Sequence, residues 1–303
     1  MQTEWVTVNQ VPTKVITWGK TLQQANEGPT EDNLDYIILI TGNPGVVNAY
    51  EEFLEEIHKK TGFIVWGIGH AGHNKCNSIE MPPYDENKEL YGLEGQIKHK
   101  ITFIEEYVPK NARITLIGHS IGSYIIVKLL GVPSIQSKVV KSFLLFPTIE
   151  YIGDSENGKK FTKFIPYLFR LLLVLSTLFN LLPLLIQNFL LHAYLKISGI
   201  SSRYIEAIRD FVDPFTINNS LNMAMQEMSQ MKERDNDIIM ANINKIKIYY
   251  GADDGWCPIT NYFNIKRDIP NIDALVCDKG YSHAFIVKHS LPMARLVVDW
   301  MKL

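Results

Sequence analysis

The pentapeptide Gly118-His119-Ser120-Ile121-Gly122 carries the clearest chemistry in the chain. A serine hydroxyl becomes a nucleophile only when it is held clear of its surroundings beside a base. The run "ITLI" before the motif reads as a strand and "SYIIVKLL" after it as a helix, so Ser120 is expected at the elbow between them. Glycines two residues to either side let such a turn close without Cβ clashes, and the strained serine backbone lifts the hydroxyl off the sheet. The helix that starts at Ile121 adds partial positive charge where negative charge develops. The chemistry implied is attack on a carbonyl. The plain alternative is an ordinary tight turn.

Such a serine needs a base, and the base needs an acid to orient it. His283 lies in "KGYSHAF", after the expected strand "DALVCD" and before the last helix, where it can reach back over the sheet edge. Of the other histidines, His289 is expected within the last helix, His99 in an earlier helix and His192 in an apolar segment; none has that loop position. The acid falls in "YYGADDGWCP". Asp254 is favoured, and its neighbour Asp253 is the rival, because adjacent side chains point in different directions and only one can face the histidine. A tetrahedral intermediate also needs donors for its oxyanion. Those expected are the main-chain N–H groups of Ile121 and of Asn43 in "ITGNPGVV", where Pro44 stiffens the turn. A plain Pro-Gly turn is the alternative. His70 and His73 in "GHAGH" are a close pair without an evident third ligand, so they read as a loop at the site rim rather than a metal centre. Neither metal nor cofactor is called for.

These residues need a scaffold. Short strands are expected at Val6–Val8 and Val15–Trp18, a polar turn at "NEGPTEDN", and strands in "DYIILITG", "GFIVWGIGH", "RITLIGHS" and "VVKSFLLFPT". Between them Tyr50, Phe53, Leu54 and Ile57 repeat at helical spacing, as do Leu93, Ile97, Ile101 and Ile104. Alternating strands and helices predict an α/β fold with a mostly parallel central sheet. The alternation stops from about residue 151 to 242 and resumes with "KIKIYY", a helix in "TNYFNIKRDI", "DALVCD" and a final helix from about Ala284 to Leu303. Residues 1–150 and 243–303 therefore read as one catalytic core, and 151–242 as a helical insertion before the last two strands.

The insertion contains "FRLLLVLSTLFNLLPLLIQNFLLHAYL", which has no fixed charge from Leu171 to Leu195. It has the roughly 20 apolar residues of a membrane span. Pro183 divides it into halves too short to cross, however, and a single crossing would part strands that belong to one sheet. A lid buried on the core should keep a polar outer face, whereas Leu171, Leu172 and Leu173 are consecutive, as are Leu184, Leu185 and Ile186. The reading favoured is a hairpin turned at Pro183 that dips into one lipid leaflet. Lys163, Arg170 and Lys196 would then snorkel to headgroups, with Tyr167, Phe169 and Tyr194 at the interface.

Bulk properties narrow the partners. With 303 residues, 46% hydrophobic and 20% charged, the chain can bury a large core. A net charge of −2 gives no reason to expect nucleic acid. Cys76, Cys257 and Cys277 are too scattered for a disulfide framework, which points to a reducing compartment. "MQTEWVTVNQ" lacks the basic and apolar regions of a secretory signal, so the sequon at Asn218 is read as chance.

Taken together, "LITGNPGVVNAYEEF", "GHAGH", "GHSIGSY", "DGWCP" and "HAF" resemble the lipid-droplet-associated hydrolase family, a branch of the α/β-hydrolase fold, over nearly the whole chain. Many hydrolases have His-Gly-x-Pro in the oxyanion loop; here Thr41 replaces the histidine. The resemblance implies Ser120 as nucleophile, Asp254 rather than Asp253 as acid, and His283 as base. It further implies a serine esterase of low turnover, acting on neutral lipid with sterol (cholesteryl) esters as candidate substrate. The expected place is the lipid-droplet monolayer and the cytosolic face of the endoplasmic reticulum membrane, with a role in lipid storage and turnover. Two rival readings are a lipid-surface scaffold with little turnover and a soluble carboxylesterase or thioesterase with a conventional lid.

Overall fold

The computed structural model describes residues 1–27, 35–76 and 78–302. The expected polar turn "NEGPTEDN" falls outside the described residues beyond Glu27. Strands β1 (Gln2–Val8) and β2 (Val11–Trp18) pair antiparallel. The two-residue turn between them places both Asn9 and Gln10 at positive φ, the geometry that matches strand twist. Then follow α1 (Leu22–Glu27), β3 (Asp35–Ile40), α2 (Glu51–Thr61), β4 (Ile64–Ile68), α3 (Lys88–Tyr91) and α4 (Leu93–Tyr107). Next come β5 (Arg113–His119), α5 (Ile121–Leu130), α6 (Pro133–Gln136) and β6 (Val139–Leu145). The insertion holds α7 (Glu156–Asn180), α8 (Leu184–Ile197), α9 (Ile205–Phe211), α10 (Pro214–Gln230) and α11 (Asn236–Ala241). The chain closes with β7 (Ile246–Tyr250), α12 (Ile259–Asp268), β8 (Asp273–Val276), α13 (Phe285–Lys288) and α14 (Ser290–Met301).

The eight strands form one sheet in the order β1-β2-β4-β3-β5-β6-β7-β8, parallel from β4 onward. Period-two alternation divides the core. Tyr36, Ile38 and Ile40 pack on one face with Phe103 of α4 and Ile125 and Leu129 of α5. Ile37 and Leu39 pack on the other with Phe53, Leu54 and Ile57 of α2 and Val297 of α14. The expected final helix is in fact two. His289 lies in the break between α13 and α14 rather than within a helix, and Pro292, which suits only the first turn of a helix, forces a new start there.

Loops at the carboxyl ends of the parallel strands converge at one edge, where ligands of open α/β sheets bind. The elbow after β5 is the tightest of them. Ser120 has φ 53° and ψ −120°, a strained conformation for a non-glycine residue. A Cβ on Gly122 would lie 2.2 Å from the carbonyl oxygen of Ile40, and one on Gly118 would lie 2.7 Å from the main-chain nitrogen of Ser123.

The insertion leaves the sheet after β6 and returns as β7, and these two strands pair in parallel from Ser142↔Ile246 to Leu145↔Tyr249. Arg234, near its end, makes ion pairs with Glu150 before it and Asp268 after it. Its first arm is longer than the sequence led one to expect. Helix α7 runs 25 residues through Pro166, with Ser155 accepting the Gly158 N–H as N-cap. By length and composition alone this helix is apolar enough to cross a membrane. Its flanks, however, join one sheet, its first turn is tied to the Asp254 loop (Asn157 N–H to Gly255 O, 2.9 Å), and its next turn lines, through Phe161, a cavity that Ser120 also borders. The arms part at Leu181–Pro183, where Gln187 bridges the break by donating to the carbonyls of Asn180 and Leu182. Leu171, Pro183, Leu184 and Leu185 are exposed, while Leu172 and Leu173 are half-buried.

Gly122→Ala is expected to destabilise the fold by about 2–3 kcal/mol, because a methyl group against a backbone carbonyl cannot be relieved by a side-chain rotation. Urea denaturation checks this, and wild-type stability in the variant would contradict the close approach.

Candidate active site

Ser120 Oγ lies 2.9 Å from His283 Nε2, and His283 Nδ1 lies 2.7 Å from Asp254 Oδ2. The three side chains come from the β5 elbow and from the loops after β7 and β8. Asp254 is buried and its other oxygen accepts the N–H groups of Trp256 (2.9 Å) and Cys257 (3.1 Å). Burial pushes its carboxyl up, but the bond from His283 and those two N–H groups outweigh burial and hold it below the usual carboxylate range. The ionised carboxylate only accepts, so His283 Nδ1–H donates to it. That leaves Nε2 to accept the Ser120 hydroxyl proton. Asp253 is exposed and takes no part in the contact. His99 is buried against Thr13 and Lys100, and His192 is exposed on α8.

A second hydrogen-bonded chain runs behind the first. The carbonyl of His283 can only accept, so His119 Nε2–H donates to it (2.8 Å). His119 Nδ1 then accepts from the Tyr50 hydroxyl (2.6 Å), whose oxygen in turn accepts the Gly42 N–H (2.9 Å). This requires a neutral His119. Burial, followed by repulsion from His283, drives its pKa down to about 3. Sequence reasoning gave His119 only a place in the elbow and Tyr50 only a place on an apolar helix face. The one available signal was a tyrosine where leucine or phenylalanine would fill the core equally well.

The loop after β3 rests on the elbow. A Cβ on Gly42 would meet His119 Nδ1 at 2.9 Å and the Ser120 Cβ at 3.1 Å. Asn43 and Pro44 share a cavity wall with Ser120, and Ile121 is the first residue of α5, whose leading N–H groups have no partner within the helix. His70 and His73 lie beneath this loop. His73 Nδ1–H donates to Pro44 O (2.6 Å), and a Cβ on Gly45 would strike both rings. Among the described residues no group of three or more His, Cys, Asp or Glu side chains is placed to hold a metal.

Two apolar cavities meet at this point. One of about 310 Å³ is lined by Ser120, Ile152, Phe161, Leu221, Glu227 and Met228. The other, of about 360 Å³, runs past Tyr50, Tyr204 and Ile208 to Tyr194 and Ile200 at the end of the second apolar arm. Asn43, Pro44, Phe211, Trp256 and His283 border both. Helix α10 closes the first cavity. The sequence left α10 as undifferentiated insertion, yet its polar residues fasten it to the core: buried Asn219 donates to Gly72 O (3.1 Å) and half-buried Gln226 accepts the Leu93 N–H (2.8 Å).

Strand order, elbow and loop placement define an α/β-hydrolase fold. Solved structures agree: a bromoperoxidase from Bacillus anthracis superposes with a TM-score of 0.66 over all of both chains at 14% identity. A thermophilic esterase from Thermogutta terrifontis does so with a TM-score of 0.59 at 13% identity, covering 100% of this chain and 98% of that one. Within the fold, a sequence model described as lipid-droplet associated hydrolase matches residues 34–286. The chain is 37% identical to a Drosophila melanogaster lipid droplet-associated hydrolase, covering 100% of this chain and 98% of the relative. It is 36% identical to the protein of that name from Mus musculus, with 96% and 92% covered, and 36% identical to that from Homo sapiens, with 88% and 84% covered. The chain belongs to the lipid-droplet associated hydrolase family.

Four buried histidines set an acid limit on stability. Burial lowers His73 and His119 from 6.5 to about 3, and takes His70 and His99 well below 6.5. Below pH 6.5 the unfolded chain binds protons that the native chain does not, so stability falls as pH drops from 6.5 toward 3. The slope is about 1.4 kcal/mol per pH unit for each such histidine. His73→Gln, which keeps a donor for Pro44 O, should flatten the slope by about that amount in urea titrations between pH 6 and 4; an unchanged slope would show that His73 titrates normally.

Proposed function

We propose that the chain is a serine hydrolase that cleaves carboxylic esters of neutral lipids at a lipid surface. The observation that carries this reading is the hydrogen-bonded series Ser120–His283–Asp254 at the meeting point of two apolar cavities. The Ser120 hydroxyl gives its proton to His283 Nε2 as its oxygen attacks the ester carbonyl. Asp254 stabilises the imidazolium, and the N–H groups of Asn43 and Ile121 receive the oxyanion. His283 then protonates the departing alcohol, leaving an acyl group on Ser120. Water then attacks the acyl carbonyl as His283 takes its proton; the bond from the acyl group to Ser120 Oγ breaks, His283 returns the proton to that oxygen, and the acid leaves. Besides the ester and water, these steps use groups of this chain.

The two cavities favour an ester with an apolar chain on either side of the carbonyl, one arm in each. Sterol esters meet that requirement, as do other neutral esters of storage lipid. The exposed apolar arms support a lipid surface as the place of action. Leu185 is 83% exposed, Tyr167 85% and Ile197 86%, in company with Leu181, Leu184 and Phe189. A patch of this kind marks a docking site for lipid or protein. Helix α8, at 14 residues, is only about 21 Å long, too short for a bilayer core of about 30 Å but sufficient to lie in one leaflet. The relatives' name, lipid droplet-associated hydrolase, favours the droplet monolayer; the cytosolic face of the endoplasmic reticulum membrane is the second place proposed. Such an enzyme serves lipid storage and turnover.

A fluorophosphonate probe is expected to label the wild-type protein and not Ser120→Ala. Asp254→Asn should lower kcat on a soluble ester by about 10³–10⁴-fold. An unlabelled wild type would favour a scaffold without turnover. Replacing Leu181, Leu185 and Phe189 together by aspartate should move the protein from phospholipid-coated triacylglycerol emulsions to the aqueous phase on flotation, with short-chain ester hydrolysis retained. Unchanged flotation would refute the anchoring role of the arms.

A further inference from the structure

Three carboxylates are buried among the described residues: Glu150, Glu227 and Asp254. Glu150 faces Arg234 and Asp254 faces His283. Glu227, in the last turns of α10, has a different partner. Its Oε1 accepts a hydrogen bond of 2.8 Å from Asn43 Nδ2, and it makes no ion pair among the described residues. It also forms part of the wall of the cavity that holds Ser120. A carboxyl group placed so deeply without a cation is costly, and burial pushes Glu227 up to about 7. A leucine or methionine would fill the site more cheaply if filling were all that was required.

The Asn43 side chain explains the choice. Its Nδ2 donates to the carbonyl of Ser220 (3.0 Å) as well as to Glu227. A carbonyl can only accept, so the nitrogen is the atom facing α10, and both amide hydrogens are engaged there. The residues on either side are held by other elements: the Gly42 N–H by the Tyr50 hydroxyl, and the Pro44 carbonyl by His73. Three consecutive residues are thus gripped from three directions, and the orientation of the main-chain N–H of Asn43 follows from those grips.

We propose that Glu227 is a positioning residue for the reaction: from the insertion it holds Asn43 so that the Asn43 N–H is aimed at the oxyanion formed on attack by Ser120. This rests on the esterase reading above. It gives α10 a role beyond covering the site. Helix α10 packs along α7, the first apolar arm, so the element that faces lipid and the loop that receives the oxyanion share one intermediary.

The test uses the full chain, Glu227→Ala and Glu227→Gln, with a soluble p-nitrophenyl ester as substrate. Glu227→Ala should lower kcat by about 10- to 100-fold with KM within about threefold, the signature of a misaimed donor. Glu227→Gln keeps an acceptor for Asn43 Nδ2 and should recover most of kcat. Hydrogen exchange of the peptide covering residues 41–46 should be faster in Glu227→Ala and near wild type in Glu227→Gln. If the alanine variant does not fold, Glu227→Met, which preserves volume and removes the acceptor, takes its place. Unchanged exchange in the variant that lacks the acceptor overturns the proposal, as does a glutamine variant as impaired as the alanine one. Because exchange does not depend on turnover, the proposal can fail while Ser120 is still labelled by the probe, and the esterase reading can fail while the exchange difference remains.

Discussion

Everything at the site depends on how closely α5 approaches the end of β3. The absence of a side chain at Gly122 lets the helix start directly beside the Ile40 carbonyl, and Gly42 lets the following loop lie on His119 and Ser120. This contact does three things. It goes with the strained conformation of Ser120, starts α5 directly after that residue, and lays the loop that carries Asn43 against the elbow. A hydrophobic core alone would tolerate several placements of a helix on a sheet. Backbone against backbone tolerates one.

The polar chains around that contact divide the work. Asp254, His283 and Ser120 form the chain proposed to move the proton. His119, Tyr50 and Gly42 form the other: they bind the carbonyl of His283 to the loop after β3, so the two cannot drift apart independently. Both chains depend on fixed protonation, one through an ionised Asp254 and the other through a neutral His119, and burial with directed hydrogen bonds enforces each. The same burial that keeps His119 and His73 neutral makes the fold sensitive to acid, so precise placement and acid tolerance pull in opposite directions here.

The core of the fold was legible because its signals are local. Continuous apolar runs at "DYIILI" and "RITLIGH" belong to strands covered on both faces, and the spacing of Phe53, Leu54 and Ile57 belongs to a helix on a sheet. Ser120 and His283 stood out through motif and position, and Asp254 was favoured over its rival Asp253 with the family resemblance in support; in three dimensions one is buried against His283 and the other exposed. What could not be read depends on contacts distant in sequence. Glu227 and Asn43 are 184 residues apart, and Tyr50 and His119 are 69 apart, and no periodicity links either pair. The length of α7 was misjudged for a different reason. Pro183 was weighed as the divider, whereas the arm begins well before the apolar run, at the Ser155 cap, and Pro166 does not stop it. His289 was placed in a continuous helix because the restart before Pro292 leaves no hydrophobic gap to mark it.

The pairing of β6 with β7 has a consequence for how the protein is made. Residues 146–245 lie between two adjacent strands, and a ribosome delivers them before either Asp254 or His283 exists. The apolar arms therefore emerge while Ser120 has no His283 to bond, and the last strands are added to a sheet whose neighbour has waited through the whole insertion. Closing so long a loop is slow compared with local helix formation. The nascent chain thus presents its most adhesive surface before its chemistry is assembled, an order of events in which meeting a lipid surface can precede becoming an enzyme.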